Sequence, residues 1–215
     1  MNLVTKPDNE VQRLKTLSQL DIVNGKQEAR FDRITRILAA LFDVPITMVN
    51  LITDSAQINK ACFGYEPGFE LERGVSFCGH TILSDDPLVI EDTLLDDRFK
   101  DNPNVVGGLQ VRAYAGVPLR ATDGTHPGAI CLVSKQPRKF TQEEISLLVD
   151  LSAWAEMELN SSQLREALDE VEKSQDKYKA KLEELTRIND LMIGRELKMA
   201  EMKQEVAELK AKLGQ

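Results

Sequence analysis

VRAYAGVPLRATDGTHPGAICLVSKQPRKFTQEE, residues 111–144, decides the fold. Val111 to Leu119 and Gly128 to Ser134 are two apolar runs, and Asp123-Gly124 between them has turn chemistry. Together they read as a hairpin of two antiparallel strands. Alternation along the first strand puts Arg112 and Tyr114 on one face and Val111, Ala113 and Ala115 on the other. Pro137 ends the sheet, and Thr141 followed three residues later by Glu144 is a capping box that starts a helix.

The same grammar extends toward the N-terminus. Ile46 to Ile52 is an apolar strand set off by Pro45, and Asp54-Ser55 turns it into a second strand, about Gln57 to Phe63. A loop punctuated by Gly64, Pro67, Gly68 and Gly74 leads to Ser76, an N-cap for a short helix from Phe77 to Leu83. Asp85-Asp86-Pro87 is a turn, Leu88 to Glu91 a short strand, and 92–110 an irregular segment holding Asn102-Pro103 and Gly107-Gly108. Upstream, Val11, Leu14, Leu17 and Leu20 predict a short helix with Asp8 as N-cap, closed by Asn24-Gly25. A second helix spans about Gln27 to Phe42, with Phe31, Ile34, Ile37, Leu38, Leu41 and Phe42 on its buried side. Hairpin-linked strands with helices at both ends predict an α+β fold, an antiparallel sheet packed on one face by the terminal helices.

Beyond Thr141 the chain has no proline up to Leu213, and Gly194 is the only glycine in that stretch. Val171, Tyr178, Leu185, Met192, Met199, Val206 and Leu213 recur every seven residues, with Leu168, Leu182, Ile188, Met202 and Leu209 between them. Apolar residues alternately three and four apart form the seam of a coiled coil. At about 1.5 Å per residue such a helix would reach on the order of 110 Å. Leu182, Leu185 and Ile188 break the alternation with two successive three-residue steps, which overwinds a coiled coil locally. Arg195 in the seam and Gly194 beside it weaken the same region. An imperfect coiled coil, a soft spot for signal transmission and a hairpin folding back near Asn189-Asp190 all fit this pattern. A stripe of this length needs a partner, so self-association as a parallel homodimer is expected.

Composition narrows the class. The 215 residues suffice for one domain plus a helical tail. Net charge is −8. Residues 1–160 hold 16 Lys/Arg against 23 Asp/Glu, net −7, and residues 161–215 hold 11 against 12, net −1. An acidic globular part lacks the basic stripe that nucleic-acid binding needs. No apolar run approaches the roughly 18 residues of a membrane span, and MNLVTKPDNE lacks the apolar stretch of a signal peptide. Cys62, Cys78 and Cys131 make an odd count with no CxxC, which fits reduced thiols in a cytoplasmic protein.

Few residues offer chemistry. Cys78 and His80 stand two apart at the start of the short helix, where a neighbouring imidazole would lower a thiol pKa. On a helix, however, such residues diverge by about 200°, so core packing for Cys78 and a pocket-wall role for His80 are the competing reading. Cys62 and Cys78, the nearest pair in sequence, invite a redox reading. Asp92, Asp96, Arg98 and Phe99 fit loop architecture, with carboxylates capping or pairing Arg98 while Phe99 fills the core. Arg112 beside Tyr114 would greet an anionic or aromatic ligand, or form an edge-of-sheet ion pair. Two histidines 46 apart give no metal-ligand spacing.

Several separate stretches resemble a GAF domain of the bacterial sensor type. These are Leu17–Val23 with Arg30–Leu38, GVSFCGHTILSDDPLVIEDTLLDDRFKDNP at Gly74–Pro103, and the two strands and capping box quoted above. The resemblance covers about residues 10–160. Glu184–Leu213 is similar to the helical connectors of bacterial sensor histidine kinases. The resemblance implies an N-terminal helix at 1–24, a GAF domain at 25–160 and a coiled-coil helix at 161–215. It implies a cytoplasmic, non-enzymatic sensory module that binds a small ligand or serves as a dimerisation platform, with a signalling partner such as a histidine kinase or cyclase. Ligand-binding candidates are Cys78, His80, Asp92, Arg112 and Tyr114; no cofactor is specified. The alternative is a thiol-dependent enzyme such as a free methionine sulfoxide reductase. Those enzymes use a cysteine in the loop before the late strands, and residues 92–110 hold none. Cys-Gly-His departs from the Cys-His pair of bilin-binding relatives, and Asn59-Lys60 is all that matches the cyclic-nucleotide signature.

Overall fold

The structure is a computed structural model that describes residues 4–20 and 28–212. The chain divides into two compact units, Met1–Leu164 and Arg165–Gln215. In the first, the strands β1 (Ile46–Ile52), β2 (Ala56–Phe63), β3 (Glu70–Glu72), β4 (Leu88–Ile90), β5 (Ala113–Leu119) and β6 (Gly128–Ser134) form one sheet in the order β3-β2-β1-β6-β5-β4. Every pairing is antiparallel. The hairpin expected at Asp123-Gly124 forms, with Gly124 in the left-handed region that this turn requires.

The terminal helices pack on one face of the sheet, as expected, and short helices cover the other. Parity along β1 shows why: Val49 and Leu51 join a core with Leu38 and Phe42, while Ile46, Met48 and Ile52 join a second core with Phe77 and Phe99. The first core is closed by α1 (Glu10–Gln19), α2 (Ala29–Phe42) and the start of α5 (Gln142–Lys212), through Leu17, Phe31, Leu148, Ala155 and Leu159. The second is closed by α3 (Phe77–Thr81), α4 (Pro103–Val106) and the loops between them. Because both faces are covered, β1, β5 and β6 are buried at every position.

Other differences have local causes. Asn9, not Asp8, occupies the N-cap position of α1, and its side chain makes no cap hydrogen bond. Leu14, Leu17 and Leu20 pack on the first core, and beside them α1 turns a charged residue inward: Arg13 is fully buried. Its Nε and Nη2 donate to the two carboxylate oxygens of Glu10, each at 2.8 Å, and Arg73 grips the same carboxylate from the sheet side. Val11 is 86% exposed. On α2, Ile37 and Leu41 lie on the exposed side, because Thr35 and Ala39 take the inward positions beside Ile34, Leu38 and Phe42. Thr35 earns its place through its carbonyl, which accepts from Thr47 Oγ1 at 2.6 Å. The strand β3 and the helix α4 arise within segments that read as loop; Asn102 caps α4 by accepting from Asn104 N at 2.9 Å. The expected ends at Asn24-Gly25 and Gln27 lie outside the described residues.

The capping box forms as the sequence predicts: Glu144 N donates to Thr141 Oγ1 at 3.1 Å, and Thr141 N donates to Glu144 Oε2 at 2.9 Å. In the second unit α5 continues through Asn189–Gly194 without a break, so no hairpin forms there. Its seam residues are exposed, Leu168 at 60% and Leu182 at 67% among them.

Candidate functional site

In the middle of β1 stands Asn50, fully buried among apolar neighbours. A buried amide must find partners, and Asn50 finds them on both sides. Its Oδ1 accepts from Asn59 Nδ2 of β2 at 3.0 Å. Its Nδ2 points at Cys78 Sγ, 3.3 Å away, and lies 3.8 Å from Cys131 Sγ.

Cys78 arrives on α3. Ser76 holds the N-terminus of that helix: its Oγ accepts from Gly79 N at 2.8 Å and donates to Gln57 of β2. Cys131 rises from β6 to meet Cys78, sulfur to sulfur at 3.7 Å. Tyr114 of β5 completes the cluster, its Oη 3.3 Å from Cys78 Sγ and 2.7 Å from Thr81 Oγ1. Gly116 permits this. Residues two apart on a strand share a face, and the Tyr114 ring folds across Gly116; a Cβ there would stand 2.2 Å from Tyr114 Oη.

No charge lies in this cluster, so hydrogen bonds decide its proton chemistry. The contact with Cys131, with Tyr114 and Asn50 in support, holds the Cys78 thiol below its ordinary value against the opposing effect of burial. The same contact, with burial, pushes Cys131 well above its own. Burial pushes Tyr114 up as well. Cys62, half-buried on β2, is pushed up to about 11 by burial. The Thr81 hydroxyl also donates to Phe77 O at 3.1 Å, which leaves Tyr114 free to donate to Thr81 and accept from the Cys78 thiol. If Thr81 turns to Tyr114 instead, Tyr114 donates to the sulfur. The cluster therefore has two proton arrangements of similar geometry.

Beside it lies a cavity of about 20 Å³, lined by Met48, Asn50, Phe77, Cys78, Tyr114 and Cys131 among other uncharged residues. It accommodates about one water-sized molecule. Phe77, stacked on Phe99 at 4.4 Å and tilted against Tyr114 at 5.2 Å, fills the remaining space.

The sequence candidates separate into two places. Cys78 and Tyr114 meet in the buried cluster. Arg112 and Asp92 meet at the β4–β5 corner, where Arg112 Nη2 donates to both carboxylate oxygens at 2.9 and 3.0 Å and Arg112 Nε to one at 3.3 Å. That contact with Arg112 holds the Asp92 carboxyl below the usual carboxylate range. Asp92 also lines an open cleft of about 870 Å³ with Val89, Leu95, Asp96, Arg138 and Lys139. His80 packs edge-on against Phe99, ring centres 4.9 Å apart, while the neighbour of Cys78 is Cys131. The sequence reading missed Asn50 and Cys131 as members of a site; a polar residue in the middle of an apolar strand was the available signal. Cys62 and Cys78, adjacent in the sequence order of cysteines, are not the pair that the fold brings together. Among the described residues no group of three or more His, Cys, Asp or Glu side chains is arranged to hold a metal ion.

The molecule thus presents a two-faced antiparallel sheet with a small buried pocket under short helices. The GAF domain model matches residues 27–159, and the chain belongs to the GAF domain family. It is 29% identical over 143 residues to a cyclic di-GMP phosphodiesterase of Pseudomonas aeruginosa, a match covering 66% of this chain and 24% of that protein. The chain thus spans about a quarter of that relative's length. Among solved structures it resembles the PixJ GAF domain of Thermosynechococcus elongatus in its blue-light absorbing form, at 16% identity and TM-score 0.55, covering 66% of this chain and 90% of that one. It also resembles a free methionine-R-sulfoxide reductase of Neisseria meningitidis in complex with its substrate, at 16% identity and TM-score 0.53, covering 77% and 99%. At these identities the likeness is one of fold.

Proposed function

We propose that the chain is a non-enzymatic sensory module that pairs in parallel through the α5 seam and passes the state of its GAF core to a signalling partner. The observation that carries this reading is the exposed seam. Leu168, Val171, Leu182, Leu185, Met199 and Leu209 are each more than half exposed on a single chain, and they follow the heptad alternation on either side of Leu185. A heptad stripe fits the holes of a second identical helix, and left open it would be an aggregation surface. No described helix is long and apolar enough to cross a membrane.

The core pocket bears on what is sensed. At about 20 Å³ it takes a water-sized guest, and a larger ligand must displace Phe77 or Tyr114. This favours a dimerisation platform, or a ligand that opens the pocket as it binds. The relative's cyclic di-GMP hydrolysis supports an output in second-messenger signalling, alongside the histidine kinase or cyclase that the connector-like helix suggests. The reductase alternative has less support: residues 92–110 hold no cysteine, and Cys78 faces a cysteine on β6.

Bis-maleimide crosslinking of Met199→Cys tests the pairing. A parallel pair in register brings the two substituted seam positions together, so a covalent dimer is expected, while Glu201→Cys on the outer face gives little. Equal yields from the two variants would refute parallel pairing.

A further inference from the structure

We propose that Cys78 and Cys131 form a peroxide-sensitive dithiol that closes to a reversible disulfide and so makes the GAF core a redox-responsive site. The inference stands apart from any ligand and from the pairing of α5. Three observations carry it. The two sulfurs are already 3.7 Å apart, and closing to a disulfide asks for about 1.6 Å more. The movement falls on α3, a helix of five residues flanked by loops, rather than on the sheet. A cavity with room for about one water-sized molecule lies beside the pair and is lined by both cysteines.

The chemistry balances with hydrogen peroxide as the oxidant. The Cys78 thiol, on which Asn50 and Tyr114 converge, gives up its proton, and its sulfur attacks one peroxide oxygen. The O–O bond breaks, one water leaves, and Cys78 becomes a sulfenic acid. The Cys131 sulfur then attacks the sulfenic sulfur. The S–S bond forms, the S–O bond breaks, and the hydroxide leaves with the Cys131 proton as a second water. Two thiols and one peroxide become one disulfide and two waters; a small dithiol reverses the step by thiol–disulfide exchange. Closure removes the Cys78 thiol proton, so the hydrogen bond between Cys78 and Tyr114 that joins α3 to β5 must rearrange.

The test treats the full chain with hydrogen peroxide at neutral pH without denaturant, then alkylates it and maps peptides by mass under non-reducing conditions. The expected result is a Cys78–Cys131 crosslinked peptide, lighter by two hydrogens than its separated halves and reopened by dithiothreitol, with Cys62 recovered alkylated. The Cys62→Ser variant, altered only at the half-buried cysteine, should give the same crosslink. The Cys131→Ala variant should leave Cys78 as a sulfenic acid trapped by dimedone. Recovery of Cys78 and Cys131 as alkylated thiols after peroxide would overturn the proposal, as would a crosslink that uses Cys62.

Discussion

Tyr114 shows how closely single residues fix the core. Its ring occupies the volume that a side chain at position 116 would need, so the glycine is required for space rather than for backbone freedom. In Gly116→Ala the new methyl group stands 2.6 Å from Tyr114 Cζ as well as against its hydroxyl, inside a fully buried cluster. Overpacking of this kind costs about 1–3 kcal/mol, and displacing the ring also strains its bonds to Thr81 and Cys78. A fall in melting temperature of about 2–12 °C is expected. In a Tyr114→Ala background the same substitution should cost much less, because the ring is gone; an equal cost in both backgrounds would show that the strain lies elsewhere. The sequence placed Cys78 on a short capped helix and Tyr114 on one face of its strand, and both placements match the structure. It did not bring Cys131 to Cys78, because 52 intervening residues separate them and only the antiparallel β6–β1 and β6–β5 pairings set that distance. Arg112 and Tyr114 share a strand face by parity, yet they part company at the strand's start. Arg112 precedes β5 and turns to Asp92, while Tyr114 goes inward.

Among the elements, α1 departs most from what its sequence suggested. Of the apolar positions Val11, Leu14, Leu17 and Leu20, the three leucines pack on the first core as expected, but Val11 is exposed and Glu10 and Arg13 face the domain in its place. Periodicity does not report this contact, because the partners are distant in sequence: Arg73, and the carbonyl oxygen of Ile52. Asp123 of the β5–β6 turn adds a second clamp, accepting from Gln12 Nε2 at 2.9 Å and from Thr16 Oγ1. Burial alone would raise the Glu10 carboxyl, but the bonds from Arg13 and Arg73 outweigh it and lower it to about 2. A folded-state value below the unfolded one gives stability that is complete above about pH 4.5 and lost as pH falls toward 2. The contribution is on the order of 2–3 kcal/mol. Denaturant melts between pH 6 and pH 2.5 should show a loss of this size in the parent beyond that in Glu10→Gln. Parallel pH profiles for the two would contradict the clamp. Elements built from local signals, such as the capping box at Thr141 and the hairpin at Asp123-Gly124, were legible throughout. The strand β3 was not, because three residues with exposed Glu70 and Glu72 carry no apolar pattern.

At the scale of the whole molecule, two kinds of surface coexist. The GAF unit buries its apolar residues in two cores around one sheet, and its polar cluster is satisfied internally. The helical unit holds its apolar residues in the open, along a stripe whose period is that of a two-helix seam. Such a stripe is stable in water only when covered, and the proposal is that a second copy covers it. In the proposed pair, the irregular step at Leu182, Leu185 and Ile188, with Gly194 and Arg195 nearby, would be the weakest part of the seam and the place where two registers come closest in energy. A change in the GAF core, whether from a ligand or from its thiols, would act by biasing that choice. The pairing itself is tested most directly by multi-angle light scattering of the full chain at micromolar concentration. The account predicts a mass near twice the 24.1 kDa of one chain, with a weaker, smaller species after truncation at Ser161. A full chain that scatters as a single 24.1 kDa particle would contradict it.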